Sequence, residues 1–442
     1  MSMRSTAAMI ARQTLGRLPR SAARLTGRLA IDGGTPVRDI RLQPWPSHPA
    51  TTAWQWFTAV GPAFRDIFLS GMEGLPQTRQ AAFAERWAAY CGCRHALLLP
   101  HGTDALRFAL AAVMDHDGLA YGGEVIIPNL SFIATATAPL DRRFGVALVD
   151  VEPGTLNLDP QKVEEAIVPG RTRAIMPVHQ FGQPANMTAI LDVARRHGLQ
   201  VIEDAAQAHG AVWEGQPVGS LGAAAGFSFQ SAKNLAAGEG GILTTNNREV
   251  YARAHALHNA GRSPEHGARW EHHTLGWNCR PTEYQAALLA HRLGQFDADQ
   301  AARRVNFEAL RLALAESACL RPLDVAPGVQ KHGMYMFVAR YRSAACGGAA
   351  IDAFVRALQA EGAPVHRGYA STIADQPVMR DLVVRRADYV RSLPTPVADQ
   401  AAREIVYIPG SALLDVRIVD DIVGAVRKVQ AGLSMAGSSA RP

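Results

Sequence analysis

The feature that most narrows the fold is an alternation. Between residues 96 and 245 short, nearly unbroken apolar runs recur: ALLL (96–99), EVIIP (124–128), VALVDV (146–151), AIMPV (174–178), QVIED (200–204), GFSF (226–229) and GILTT (241–245). Helical patterns such as TDALRFALAAVM and MTAILDVARRHG separate most of them. Strands that are apolar at consecutive positions are buried on both faces, and intervening helices make their connections parallel. The pattern predicts an α/β chain with a mostly parallel seven-stranded sheet covered on both sides.

After residue 281 the pattern changes. A long helical stretch, PTEYQAALLAHRLGQFDADQAARRVNFEALRLAL, begins with a proline suited to a first turn. It is followed by strand-like MYMFVARY, helical IDAFVRALQAEG, and a further strand and helix in AREIVYIPGSALLD and VRIVDDIVGAVRKVQ. These predict a smaller α+β lobe. The expected division is a disordered extension at 1–30, a large domain at 31–290, a small domain at 291–432 and a flexible tail at 433–442.

Net charge of +6 is matched by six arginines within residues 1–31, where no acid occurs. The rest of the chain is near neutral, which argues against nucleic acid. The acid-free start has transit-peptide composition, but Ala and Arg are abundant throughout, so it reads as an extension. No run approaches the roughly 18 apolar residues of a membrane span. The five scattered cysteines, without a signal-peptide core, predict reduced thiols and a cytoplasmic location. CGCRH at 91–95 matches no usual zinc spacing, and the run with His266, His272 and His273 reads as a solvated loop, so no metal is expected.

In an open parallel sheet, ligands gather at the carboxyl ends of strands. Four such ends carry suggestive groups. Gly102, Thr103 and Asp104 open a helix directly after a strand, which suits a phosphate, or equally an ordinary N-cap by Thr103. Phe132 follows the second strand, as a core aromatic or a stacking plane. Asp204 ends the fifth strand with Gln207 three residues on, either capping a helix or holding a cationic ring nitrogen. His209 reads as structural. Lys233, one of only four lysines, sits between Ser228-Phe-Gln and the glycines Gly238, Gly240 and Gly241. A desolvated lysine loses proton affinity and becomes a usable nucleophile. Together the four ends describe a ligand with a phosphate, a flat ring, a protonatable nitrogen and an aldehyde. Pyridoxal 5′-phosphate meets all four demands.

EDAAQAHGAVWEGQPVGSLG, FSFQSAKNLAAGEGGILTTN and LGWNCRPTEYQAALLAHRL resemble the DegT/DnrJ/EryC1/StrS family of fold-type-I pyridoxal-phosphate enzymes. The likeness runs from LAIDGGTPVR at 29–38 to about residue 430. It implies that Lys233 is the Schiff-base lysine, Asp204 the partner of the ring nitrogen, Gln207 the neighbour of the ring hydroxyl and Phe132 the stacking aromatic. Gly102, Thr103, Asp104 and Ser228 fall in the phosphate cup. Asn278 matches an asparagine that reaches the neighbouring subunit's phosphate, which implies a homodimer with shared sites. Arg280, His179 and Gln230 are the residues expected to face substrate. Gln230, QPWPSHP and IMPVHQFGQPANM are similar to the inosose aminotransferase and aminohydroxybenzoate synthase branches, whereas HRGYASTIADQP departs from the nucleotide-sugar pattern. The expected activity is ping-pong transfer of an amino group from glutamine or glutamate to a ketone of a cyclitol or sugar, in antibiotic biosynthesis. Dehydration to an aminohydroxybenzoate, a nucleotide-sugar substrate, or a non-catalytic partner or sensor role stand as alternatives.

Overall fold

The structure, a computed structural model, describes residues 28–46, 53–71, 78–263 and 270–439. The expected extension at 1–30 lies almost wholly outside them, as does His266. Strands β1 (His95–Leu99), β2 (Glu124–Pro128), β3 (Gly145–Val149), β4 (Thr172–Ile175) and β5 (Gln200–Asp204) alternate with helices. Short strands β6 (Val212–Trp213) and β7 (Gln216–Pro217) precede β8 (Ala224–Ser228) and β9 (Gly241–Thr245). Then come β10 (Leu320–Pro322), β11 (Val329–Lys331), β12 (Met336–Tyr341), β13 (His366–Arg367), β14 (Val390–Ser392) and β15 (Ile405–Pro409).

The main sheet runs β1-β9-β8-β5-β4-β2-β3-β14. It is parallel except for β9, which is antiparallel to both β1 and β8. All five residues of β2, β3, β8 and β9 are buried, which is why they read as continuous apolar runs. Within β1 the faces alternate: Leu97 and Leu99 pack with Phe108 and Leu110, while Ala96 and Leu98 meet Phe83, Trp87 and Phe227.

The sheet has eight strands, not the expected seven. β14 comes from far along the chain and pairs in parallel with β3. It is held there by Arg391, which forks onto the buried carboxylate of Glu124 at 2.7 and 3.0 Å.

A second, antiparallel sheet, β10-β12-β15-β13, sits over its own core of Phe337, Val406, Ile408, Phe354, Leu358 and Ile422. The helix Glu283–Ala315, about 50 Å long at 1.5 Å per residue, joins the two cores. It starts at a capping box between Thr282 and Gln285. Its first half packs Leu289 and Phe296 against the main sheet, and its second half packs Phe307, Leu310 and Leu314 into the other core. The last helix continues to Ser439, through most of the expected tail. Cys319 and Cys346 are joined as a disulfide, contrary to the all-thiol expectation, because their segments bring the Cα atoms to 6.4 Å. No helix among the described residues is long and apolar enough to cross a membrane.

Candidate active site

The carboxyl ends of β1, β2, β5 and β8 converge on one region. β1 leads through His101 into the helix Gly102–Met114, whose first turn-closing bond runs from Ala105 N–H to His101 O. The N–H groups of Gly102, Thr103 and Asp104 precede that bond and have no carbonyl to reach within the helix. A side chain at Gly102 would place Cβ 2.7 Å from Ser228 Cβ, and one at Gly241 would overlap the His101 carbonyl. The helix start, the end of β8 and the start of β9 are therefore packed backbone against backbone. Ser228 adds a hydroxyl, which accepts from Gln230 N–H at 3.3 Å. The Asp104 carboxylate does not face this cradle. It pairs with Arg107 at 2.9 Å, and Arg107 also reaches Asp141 and Cys279. Asp104 can offer an anion only its N–H.

Asp204, at the end of β5, is 4% exposed. Thr135 Oγ1 donates to its Oδ2 at 2.8 Å and Ala206 N–H to its Oδ1 at 3.2 Å. Burial pushes its pKa up, while these bonds and the Lys233 charge pull it down. The carboxylate is oriented by these two bonds, and among the described residues no cation is bonded to it. Gln207 is tied to Phe181 N–H at 2.8 Å and to the Tyr369 hydroxyl at 3.1 Å.

Lys233 lies in the loop between β8 and β9, which folds back on itself. Phe229 N–H donates to Gly240, Ser231 N–H to Gly238 and Lys233 N–H to Gln230, each at 2.8 Å. The half-buried side chain carries its ammonium 4.3 Å over the ring of Tyr335. Desolvation lowers the Lys233 pKa to about 8, with Asp204 opposing. The amine gives up its proton more readily than an ordinary lysine does.

Other expected residues fall differently. Phe132 is 61% exposed, so the core reading fails and its ring is free to stack. His179 is fully buried, accepting from Ala185 N–H at Nδ1 (3.0 Å) and donating from Nε2 to Glu203 (3.1 Å). Neither nitrogen is left for a substrate. His209 is held near 3 by burial and is bonded to Ser228 O, in keeping with a structural role. Gln230 accepts from Ala232 N–H at 2.7 Å, a local turn contact. Asn278 is exposed, and Arg280 donates to Asn259 at 3.0 Å. Among the described residues no group of three or more His, Cys, Asp or Glu could hold a metal.

Sequence reasoning missed Thr135, Tyr335 and Tyr369. Thr135 lies three residues after Phe132 and the tyrosines lie in MYMFVARY and HRGYASTIADQP, but nothing local ties them to Lys233 or Asp204. Size alone would also mislead: a groove of about 900 Å³ beside Arg321, Arg340 and Arg403 contains none of these groups.

The fold is that of the fold-type-I aminotransferases of the pyridoxal-phosphate class, and its strand ends carry an amine and a buried carboxylate beside free helix N–H groups. The chain matches the DegT/DnrJ/EryC1/StrS aminotransferase family over residues 65–427 and belongs to it. It is 35% identical to the L-glutamine:2-deoxy-scyllo-inosose aminotransferase of Streptoalloteichus tenebrarius, over 91% of this chain and 97% of the relative. It is 34% identical, with the same coverage, to the L-glutamine:scyllo-inosose aminotransferase of Streptomyces griseus. The crystal structure of 3-amino-5-hydroxybenzoic acid synthase superposes with a TM-score of 0.77 at 27% identity, covering 89% of this chain and 99% of that one.

Proposed function

We propose that this aminotransferase moves the amino group of glutamine onto the ketone of an inosose-type cyclitol, with pyridoxal 5′-phosphate as its cofactor. The observation that carries the reading is the meeting of Lys233, Asp204 and the Gly102 cradle at neighbouring strand ends. The cradle and the donor set fit the cofactor: free helix N–H groups and a Ser hydroxyl suit its phosphate, and one buried carboxylate suits its ring nitrogen. When bound, the cofactor supplies an aldehyde and a ring that accepts electron density.

The residues divide the work. Gly102, Thr103 and Asp104 N–H, with the Thr103 and Ser228 hydroxyls, hold the phosphate. Asp204, aligned by Thr135 and Ala206, keeps the ring nitrogen charged. Phe132 stacks on the ring and Gln207 lies beside its hydroxyl. Lys233 anchors the cofactor, then holds at Nζ the proton that moves to and from the substrate carbon.

The same reading makes the protein a homodimer in the cytoplasm, with Asn278 and Arg280 serving a site shared between subunits. Exposure of Trp54, Phe57, Phe68 and Leu69, each at least 69%, supports a protein-covered surface along residues 53–70. Cyclitol as substrate rests on the relatives named above.

The test is transfer itself. With the cofactor, ¹⁵N-amino-labelled glutamine and scyllo-inosose or its 2-deoxy form, mass spectrometry should find a labelled aminocyclitol. Labelled product from a nucleotide-linked keto sugar, with none from either inosose, would sink the cyclitol reading.

A further inference from the structure

Tyr335 is 8% exposed and stands one residue before β12, on the chain segment opposite the Lys233 loop. Its position is fixed from both sides. Asn234, the neighbour of Lys233, donates its Nδ2 to the carbonyls of Gly333 at 2.7 Å and Met334 at 3.0 Å. Gly333 N–H donates to Gly182 O at 2.7 Å. Met334 itself is held at φ +52°, a left-handed conformation that a bulky side chain avoids unless its surroundings impose it. The result is a ring whose centroid lies 4.3 Å from Lys233 Nζ. Other titratable groups face this pair. His209 is neutral, with its pKa near 3, and burial raises the phenols of Tyr335, Tyr369 and Tyr407, Tyr335 to about 12. Asp204, beside His179, is the one acid that raises the Lys233 pKa.

We propose that Tyr335 is a positioning residue: its ring face holds the Lys233 ammonium whenever that amine is free of cofactor, setting both its place and its proton affinity. The proposal rests on Lys233 being the working amine of the proposed function, but its test does not require turnover. An ammonium over an aromatic face is attracted by the ring quadrupole, and more so when water is excluded. The ring therefore favours the charged form and offsets part of the desolvation. The phenol hydroxyl is not needed for this.

The full-length chain freed of cofactor is treated with acetic anhydride across pH 6 to 10, and acetylation of each lysine is read by mass spectrometry. Exposed Lys162 serves as the internal reference. Lys233 should show a midpoint well below that of Lys162, because burial lowers its proton affinity. Tyr335→Leu and Tyr335→Met should lower it by about half a pH unit to one unit, the shift matching a cation–π contact at a half-buried amine. Tyr335→Phe should leave it within a few tenths. An unchanged midpoint in the Leu and Met variants, or an equal drop in the Phe variant, overturns the proposal. The two apolar variants guard against one failing to fold. Absence of aminotransferase activity in the wild-type holoenzyme, with the titration as expected, would count against the proposed function and not against this contact.

Discussion

Replacing Asp204 by Asn should separate stability from cofactor binding. The change removes a charge and keeps the shape. The new side-chain amide can still accept from Ala206 N–H, and it can donate to Thr135 if that hydroxyl turns towards Ser131, 2.9 Å away. No polar atom need be stranded. In the cofactor-free protein the wild-type carboxylate is the costlier group, because burial raises its pKa above the ordinary value. A raised folded-state pKa means the native state holds its proton more tightly than the unfolded chain. Its contribution is fully present in acid and is lost as pH rises through the folded value. The melting temperature of the cofactor-free Asp204→Asn variant should therefore gain on wild type between pH 4 and pH 7. With cofactor the sign reverses. A charge-assisted bond worth about 1.5–3 kcal/mol is lost, so affinity should fall roughly 10- to 150-fold. Calorimetry on the cofactor-free proteins and an absorbance titration with pyridoxal 5′-phosphate read the two effects. If the variant melts well below wild type at pH 7 yet binds the cofactor equally well, Asp204 is a structural cap and the reasoning fails.

Gly102→Ala forces a methyl to 2.7 Å from Ser228 Cβ, which should cost about 1–3 kcal/mol in denaturant unfolding and weaken cofactor binding with it. His179→Ala strips the buried Glu203 of a hydrogen bond. Stability should fall by about 1–3 kcal/mol while KM in the folded fraction stays unchanged, whereas a raised KM with full stability would restore a substrate role. If sites are shared, mixing inactive Asn278→Ala with inactive Lys233→Ala subunits should recover activity, because one site of the hybrid then holds both residues. No recovery in a verified hybrid dimer would place Asn278 outside its partner's site.

What the sequence made legible followed from local physics. Strands buried on both faces announce themselves as apolar runs, Asp204 stands out because charge is costly at a strand end, and Lys233 stands out as one of four lysines beside a Gly-rich turn. That the Asp104 side chain turns to Arg107 was also legible, since a spacing of three brings helical side chains together and leaves only the Asp104 N–H for an anion. The rest is tertiary. β14 spans three residues, one of them Arg391, and has no apolar run to reveal it; its place depends on Glu124 across the fold. His179 gave no sign that Glu203 on β5 would take its ring nitrogen. Tyr335 meets Lys233 only because Asn234 clamps a backbone a hundred residues away.

The central claim is that Lys233 is the amine that takes up the cofactor. Incubating the protein with pyridoxal 5′-phosphate, reducing with borohydride and mapping the added mass tests it on all four lysines at once. The account predicts the phosphopyridoxyl group on Lys233, with none on Lys162, Lys331 or Lys428, and its loss in Lys233→Arg. Label on another lysine, or on none, would contradict it.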